Sequence, residues 1–294
     1  MDTTHLNGGF LLKTLVGSVD PYMRGRMRSS EKKMHGAPFT IDGDGVSLVK
    51  RSKHNDAVPG KYVSGILPHQ EYTFYRICKG VPSEMNFPRD MALHLLLTTD
   101  QTAYMAWEEL SRAKKGKVAF ITTGAGVRCN SMVIQLAKRH DLKVIASAGS
   151  EEKRQFMKEL GADVSNYKTT DTRDVLQREE PIEVYWDNVG GNVLDAALEH
   201  AAVYARFLEC EMSSGIKNLH STFAKSLIIN GILVHRLETK YDAEFYATIP
   251  AALVEGDIKY REDLTHGLET VGDAILRVQQ GRNTGKAVVI VAGE

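Results

Sequence analysis

The sequence predicts an α/β protein in which a small, mostly β domain is joined to a doubly wound parallel sheet. Short strands and glycine turns fill the first part of the chain, apolar strands alternate with amphipathic helices in the middle, and a helix and a strand end it. Strands buried on both faces read as continuous apolar runs, and their alternation with helices implies right-handed βαβ units. The 294 residues are enough for about two domains.

Charge balance and cysteine content exclude several classes of protein. Lysine and arginine number 37, as do aspartate and glutamate, so the basic excess typical of nucleic-acid or anionic-membrane binding is missing. No apolar run approaches the roughly 18 residues of a membrane span, and no signal peptide is predicted. Three distant cysteines exclude a disulfide framework. We therefore expect a cytoplasmic protein that binds neither nucleic acid nor membrane.

The N-terminal part of the chain predicts the β domain. Apolar stretches at residues 10–16, 45–49 and 62–67 are typical of strands. An Asp-Gly-Asp-Gly sequence at residues 42–45 and a Pro-Gly pair at 59–60 predict turns between them.

From about residue 88 the pattern changes to alternating helices and strands, which indicates a parallel, doubly wound sheet. Buried strands are predicted at residues 117–123, 143–147, 183–187, 205–210 and 228–234. Helices are predicted at residues 103–110, 131–140, 151–160 and 192–201.

The last segment returns to mixed structure. A helix is predicted near residues 243–254, with a kink at Pro250. A second helix is predicted around residues 268–278, because Leu, Val, Ile and Val recur there with helical spacing. A strand at residues 286–291 follows it.

A glycine turn, formed by Gly124, Ala125 and Gly126, follows the first strand of the parallel sheet. Between a buried strand and a helix, such a turn lets backbone N–H groups bind a pyrophosphate at the positive end of the helix dipole. Cys129 stands where the dinucleotide fingerprint has its third glycine. The turn predicts either a dinucleotide site or a sheet that merely needs glycine here, and the flanking strand and helix favour the cofactor.

Hydroxyls and a cation follow the next strand. An NAD site places Asp or Glu there to bind the ribose 2′-hydroxyl. Here Ser147, Gly149 and Lys153 occupy this place, and they suit a 2′-phosphate instead. The alternative is an ordinary helix start, with Glu151 in the first turn and Lys153 in solvent. The residues alone leave both interpretations open.

A third strand ends in Trp-Asp-Asn-Val-Gly-Gly at residues 186–191, at the edge of the sheet where ligands bind. The alternative is a simple strand-to-helix turn with Asn188 as the helix cap. No histidine is spaced with Cys, Asp or Glu as zinc ligands are, and no G-x-S-x-G nucleophile elbow exists.

Several longer motifs match a known family together, over nearly the whole chain. They are DPYMRGRM at residues 20–27, VIASAGS at 144–150, LGAD at 160–163, DNVGG at 187–191 and NTGK at 283–286. With them the chain resembles the zinc-independent medium-chain dehydrogenase/reductase superfamily, and within it the 2-alkenal reductase / prostaglandin reductase group.

The resemblance implies a fold and an activity. Residues 1–87 and 239–294 would form a GroES-like β domain, truncated at its N-terminus, and residues 88–238 a Rossmann NADP(H)-binding domain. The group uses NADPH to reduce the C=C bond of α,β-unsaturated aldehydes and ketones by hydride transfer to the β-carbon. Related proteins are commonly dimers. The absence of Cys and His between residues 14 and 34 agrees with a lack of catalytic zinc.

The resemblance also implies site residues. Gly124, Ala125 and Gly126 would bind the pyrophosphate of NADPH. Lys153 and Tyr167 would bind its 2′-phosphate, with Ser147 and Gly149 in the adjoining turn. The nicotinamide and its ribose would be surrounded by Asn188, Leu233, Val234 and Asn283. Tyr22 would lie close to the enal or enone substrate.

A catalytically impaired relative, which binds NADP(H) or a partner without turnover, is the alternative. The family has a tyrosine after the segment that matches residues 210–215, and here Ile216 follows directly. Losing an oxyanion donor can cost about 100-fold in rate. Arg128, in the altered glycine turn, is predicted to face the pyrophosphate.

Overall fold

The chain divides into two units, Met1–Thr98 with Glu262–Glu294, and Thr99–Arg261. The computed structural model describes residues 6–27, 42–55, 57–75, 98–122, 127–179, 181–210 and 216–292. The sequence predicts a return to the first domain at residue 239, whereas the first unit resumes at Glu262. The intervening helix belongs to the second unit because its Phe245 packs on Tyr104, with ring centroids 5.8 Å apart.

Both units contain β-sheet, and the strands are numbered here in chain order. They are β1 Phe10–Ser18, β2 Asp42–Ser52, β3 Tyr62–Pro68, β4 Tyr72–Tyr75, β5 Val118–Thr122, β6 Lys143–Ala148, β7 Asp163–Asn166, β8 Ile182–Asp187, β9 Ala201–Glu209, β10 Ile228–Gly231, β11 Glu262–His266 and β12 Lys286–Ile290.

The helices connect these strands. They are α1 Met23–Arg26, α2 Thr98–Leu110, α3 Val127–Arg139, α4 Glu151–Glu159, α5 Thr172–Gln177, α6 Gly191–Glu199, α7 His220–Ala224, α8 Glu238–Val254 and α9 Val271–Gln279, with 3₁₀ turns at Val234–Arg236 and Leu268–Thr270. Across the described ranges, no helix has the length and apolar character needed to cross a membrane.

The first unit is built on a mixed sheet with the strand order β11-β12-β1-β2-β3, in which β4 also pairs with β1. Strands β1, β2 and β3 pair antiparallel, whereas β11 and β12 run parallel. Alternate side chains of β1 and β3 form an apolar core, which includes Phe10, Leu12, Val63 and Leu67.

The Asp-Gly-Asp-Gly sequence is the start of strand β2 and not the turn that the sequence predicted. A Cβ at Gly43 would lie 2.7 Å from the carbonyl oxygen of Ser18, and one at Gly45 would lie 2.9 Å from that of Val16. These glycines therefore allow β2 to approach the β1 backbone closely, which a larger residue would prevent.

The second unit contains a parallel sheet with the strand order β10-β9-β8-β5-β6-β7. From β5 the chain continues outward through β6 and β7, and then returns to β8 on the other side of β5. The strand order therefore reverses between β5 and β8, and in open α/β sheets ligands bind at the carboxyl ends of the strands at this point. Apolar side chains of β5, β8 and β9, among them Phe120, Tyr185 and Phe207, pack against Leu194 and its neighbours on α6.

Candidate functional site

The carboxyl edge of the parallel sheet brings most of the predicted cofactor residues of the second unit together. Strand β5 ends at Thr122 and α3 begins at Val127. The predicted pyrophosphate turn, Gly124, Ala125 and Gly126, lies between them and outside the described residues. Among the described residues, the predicted cofactor residues of the second unit lie at or just beyond the ends of β6, β7, β8 and β10.

The turn after β8 is held by the buried carboxylate of Asp187. Its Oδ1 accepts hydrogen bonds from the backbone N–H of Val189 at 2.8 Å and of Gly190 at 2.9 Å. The backbone N–H of Asn188 donates to Thr122 Oγ1 at 3.0 Å. Gly190 has a φ of 72°, a left-handed conformation that glycine adopts without strain. These bonds hold the turn against the end of β5.

The Asn188 side chain crosses the point where the strand order reverses. Its Nδ2 donates to the carbonyl oxygen of Thr122 at 3.5 Å and to Oδ1 of Asn130 at 2.5 Å. Asn130 is fully buried in α3. Asn188 does not cap α6, because the N-cap of that helix is Gly190. Asn130 is not among the predicted site residues, because no motif singles it out.

A second cluster lies at the ends of β6 and β7. Ser150 caps α4 by accepting a hydrogen bond from the backbone N–H of Lys153 at 3.4 Å. Ser147 and Lys153 are buried, and Lys153 is only 5% exposed. A Cβ at Gly149 would lie 2.3 Å from the hydroxyl oxygen of Tyr167, so the phenol packs directly on this glycine. The structure thus brings four of the predicted residues together.

The buried Lys153 contradicts the alternative in which this side chain is solvated. An ammonium group in the first turn of a helix is disfavoured by the helix dipole, which instead attracts anions. A lysine buried at this position fits a site for a phosphate. The negative charge of the phosphate would offset both the burial of the ammonium group and its unfavourable interaction with the helix dipole. The acidic Glu151 and Glu152 are exposed, and Glu151 pairs with Arg154.

Leu233 and Val234 follow β10, which ends at Gly231 and not at residue 234 as predicted. The backbone N–H of Ile232 donates to the carbonyl oxygen of Glu209 at 2.9 Å, so the segment continues beside the end of β9. Leu233 is extended and half exposed, whereas Val234 is buried.

Two predicted residues, Tyr22 and Asn283, belong to the first unit. Tyr22 is exposed just before α1. Asn283 is buried, and its Nδ2 donates to the carbonyl oxygen of Gly285 at 2.8 Å. A buried ion pair between Asp20 and Lys286 ties the segment before Tyr22 to the start of β12. The first unit thus holds the two predicted residues on connected segments.

Arg128 does not have its predicted role. Its guanidinium Nη2 lies 2.7 Å from Oδ2 of Asp100, and its Nε donates to the same oxygen at 2.9 Å. The side chain is 1% exposed and stacks on Tyr260, 4.9 Å from the ring centroid. Its charge is therefore neutralised inside the protein and is not directed at a ligand.

An unpredicted pair of acidic side chains lies behind the Asn188 turn. Asp187 and Glu209 are register partners on β8 and β9. Burial and the nearby Asp187 raise the pKa of Glu209 to about 8. Burial, followed by Asp187 and Glu209, also raises the pKa of Tyr185 well above its usual value. In the part of the chain that the structure describes, no group of three or more His, Cys, Asp or Glu side chains could hold a metal ion.

Comparison with known proteins gives matches over nearly the whole chain. Residues 130–250 match the zinc-binding dehydrogenase family, and residues 3–81 match the N-terminal domain of oxidoreductases. The chain is 33% identical to the NADP-dependent oxidoreductase RED1 of Cochliobolus heterostrophus and to the NADP(+)-dependent 2-alkenal reductase of Nicotiana tabacum. Each match covers 97% of this chain and 88% of the relative.

The chain is also similar to a solved structure. CurA of Vibrio vulnificus in complex with NADPH is 28% identical and superposes with a TM-score of 0.87, covering 100% of this chain and 93% of CurA. Fold and site together define a two-domain oxidoreductase with a nucleotide-binding sheet. The chain belongs to the medium-chain dehydrogenase/reductase superfamily, in the group that contains 2-alkenal reductase and prostaglandin reductase. The predicted family and the predicted GroES-like and Rossmann fold class are confirmed.

Proposed function

We propose that this protein uses NADPH to reduce the C=C bond of α,β-unsaturated aldehydes and ketones. The observation that carries the cofactor assignment is Lys153, buried in the first turn of α4. The nearby Tyr167 hydroxyl completes a site that suits a 2′-phosphate. Kinship with NADP(+)-dependent 2-alkenal reductase supports the substrate class.

Each unit supplies part of the proposed machinery. In the second unit, Lys153 and Tyr167 bind the 2′-phosphate, and Ser147 and Gly149 shape the turn beside it. The 124–126 turn binds the pyrophosphate. The nicotinamide and its ribose are assigned to Asn188, Leu233, Val234 and, in the first unit, Asn283.

Tyr22 is the catalytic residue of this proposal. When bound, NADPH would supply the hydride for the β-carbon. Negative charge would develop on the carbonyl oxygen of the substrate, and a proton from water would then add to the α-carbon. A phenol that donates a hydrogen bond to that oxygen stabilises the charge. We propose that the reaction needs no zinc, since the sequence has no Cys or His between residues 14 and 34. We also propose that it takes place in the cytoplasm.

A relative that binds NADP(H) without turnover is the second candidate. It is favoured by the sequence after β9. The family has a tyrosine after the segment that matches residues 210–215, whereas this chain has Ile216 there. In that case the cofactor site of the second unit is retained while the reduction is lost.

A cofactor titration followed by a turnover assay tests both candidates. Trp186 is buried in β8, next to the Asn188 turn, and its fluorescence reports binding of NADPH or NADH. We expect NADPH to bind more tightly than NADH and 4-hydroxynonenal to cause NADPH oxidation. Binding without oxidation would establish the second candidate. Absence of NADPH binding would contradict both.

We further propose that the protein forms a homodimer through the outer strand of the parallel sheet. Strand β10 pairs on one side with β9, and at the β10 end of the sheet apolar side chains of β9, α7 and β10 are exposed. They are Val203, Tyr204, Phe223, Ile228 and Ile229. An exposed edge with apolar neighbours is a template for pairing with another chain.

A further inference from the structure

Two acidic side chains meet behind the turn that carries Asn188. Asp187 and Glu209 are register partners on neighbouring parallel strands, so both project from the same face of the sheet. Asp187 is fully buried, and both carboxyl oxygens of Glu209 are shielded from solvent. The proposed mechanism does not use either group.

The hydrogen bonds of the pair are unevenly distributed. Oδ1 of Asp187 accepts from the backbone N–H of Val189 and Gly190, and from Thr122 Oγ1 at 3.3 Å. Within the described ranges, no hydrogen bond of ordinary length is made to Oδ2 of Asp187 or to either oxygen of Glu209, and the Tyr185 hydroxyl is the neighbouring donor. Two adjacent, buried carboxylates that are both ionised would repel each other and would each lack solvation. One proton between them removes the repulsion and supplies the missing donor.

Among the residues that the structure describes, no cation acts on the carboxyl of Glu209. Within the described ranges, the groups that act on its carboxyl are Asp187 on β8 and Cys210, the next residue in the chain. Burial and the Asp187 charge raise its pKa to about 8, so the acid is neutral at pH 7. The neighbouring strands contribute the Tyr185 hydroxyl on β8 and the Thr122 hydroxyl on β5.

We propose that Glu209 is a neutral acid that donates a hydrogen bond to Asp187 and thereby positions the Asp187–Gly190 turn for the cofactor. The proposal rests on the proposed function, because Asn188 in this turn is assigned to the nicotinamide ribose. Glu209 is a positioning residue, since it acts through Asp187. When its proton leaves to solvent at alkaline pH, two negative charges face each other and the turn loses its support. NADPH affinity therefore falls as the pH rises through the pKa of the pair.

The dissociation constant of NADPH, measured by fluorescence between about pH 7 and about pH 9.5, tests this dependence. Within this range the 2′-phosphate keeps its full charge, because its second pKa is about 6. We expect a one-proton transition near pH 8 that weakens binding roughly fivefold or more. In Glu209→Gln, an uncharged amide donates in place of the acid, and the transition should disappear. Glu255→Gln, an exposed change at the end of α8, should retain it.

Infrared spectroscopy of the protein without cofactor gives a readout that does not depend on the proposed function. At neutral pH, a C=O band of a protonated carboxylic acid is expected in the wild type and is expected to be lost in Glu209→Gln. Loss of the band together with failure of NADPH to bind at any pH would uphold the carboxyl pair and contradict the cofactor site. A wild type without the band, or a transition that persists in Glu209→Gln, would overturn the inference.

Discussion

At the scale of single residues, Lys153 is the side chain that we propose distinguishes NADPH from NADH. A hydrogen bond to a charged group contributes about 1.5–3 kcal/mol, which is about tenfold to a hundredfold in affinity. We expect Lys153→Ala to weaken NADPH binding by about this factor and to change NADH binding little. Fluorescence titration with both nucleotides measures the difference.

Lys158 gives a matched control for this experiment. It lies on the same helix, exposed in the last turn. Lys158→Ala should leave both dissociation constants unchanged. Equal losses for NADPH and NADH in Lys153→Ala would show that Lys153 does not bind the 2′-phosphate.

Gly149 tests the contact between the turn and the Tyr167 phenol. Alanine here would place its Cβ 2.3 Å from the phenol oxygen, so the tyrosine must move. Because Tyr167 is 45% exposed, it can move without disturbing the core. We expect Gly149→Ala to weaken NADPH binding about fivefold, equivalent to one hydrogen bond of about 1 kcal/mol. The free energy of unfolding should change by less than about 0.5 kcal/mol.

A double-mutant cycle separates this explanation from a general distortion of the turn. If Gly149→Ala acts by displacing Tyr167, it should have little further effect once Tyr167→Ala has removed the phenol. Additive losses in the double variant would instead point to a change in the backbone of the turn.

At the scale of elements, the ion pair between Arg128 and Asp100 joins α3 to α2. Both side chains are almost completely buried. Removing one member leaves the other charged and buried, which costs about 3–5 kcal/mol. We expect Arg128→Met to lower the free energy of unfolding of the second unit by about this amount, as measured by urea denaturation.

The reverse experiment removes both charges. A buried ion pair that is replaced by apolar residues of similar size is often neutral for stability. Asp100→Leu combined with Arg128→Met should therefore recover most of the loss. A double variant that is as unstable as Arg128→Met alone would place the effect in the contact of Arg128 with Tyr260 instead.

At the scale of the whole molecule, the proposed dimer can be tested at its most exposed apolar residue. Phe223 on α7 is 92% exposed. Phe223→Glu would bring a charge into the interface, and burying an unpaired charge is strongly unfavourable. We expect sedimentation to show a shift from dimer to monomer. Leu276→Glu, an exposed change on α9 in the other unit, should leave the assembly unchanged.

The sequence predicted most of the architecture but less of the chemistry. The strands of the parallel sheet with continuous apolar runs, such as β5, β6 and β8, were found within a few residues. Strand β7 and helix α5 were missed because these short elements bury few side chains and so have little apolar periodicity.

The candidate site could likewise be predicted only in part from the sequence. Lys153 and Asn188 were identified by their places after predicted strands. The burial of Lys153, the inward direction of Arg128 and the approach of Glu209 to Asp187 depend on tertiary packing, which residue spacing does not contain. The burial of Lys153 is the observation that favours a phosphate site over a solvated helix start.

The position of β12 between β11 and β1 has a consequence for synthesis on the ribosome. This strand lies between β11 and β1 in the sheet but follows the whole second unit in the chain, so β1 and β12 cannot pair until that unit has been synthesised. The second unit is one continuous stretch, Thr99–Arg261, and can fold while the chain is still growing. The edge of β1 that β12 covers therefore stays open while the second unit is synthesised. A premature stop within α9 would leave the second unit complete, while the sheet of the first unit would lack β12 between β11 and β1.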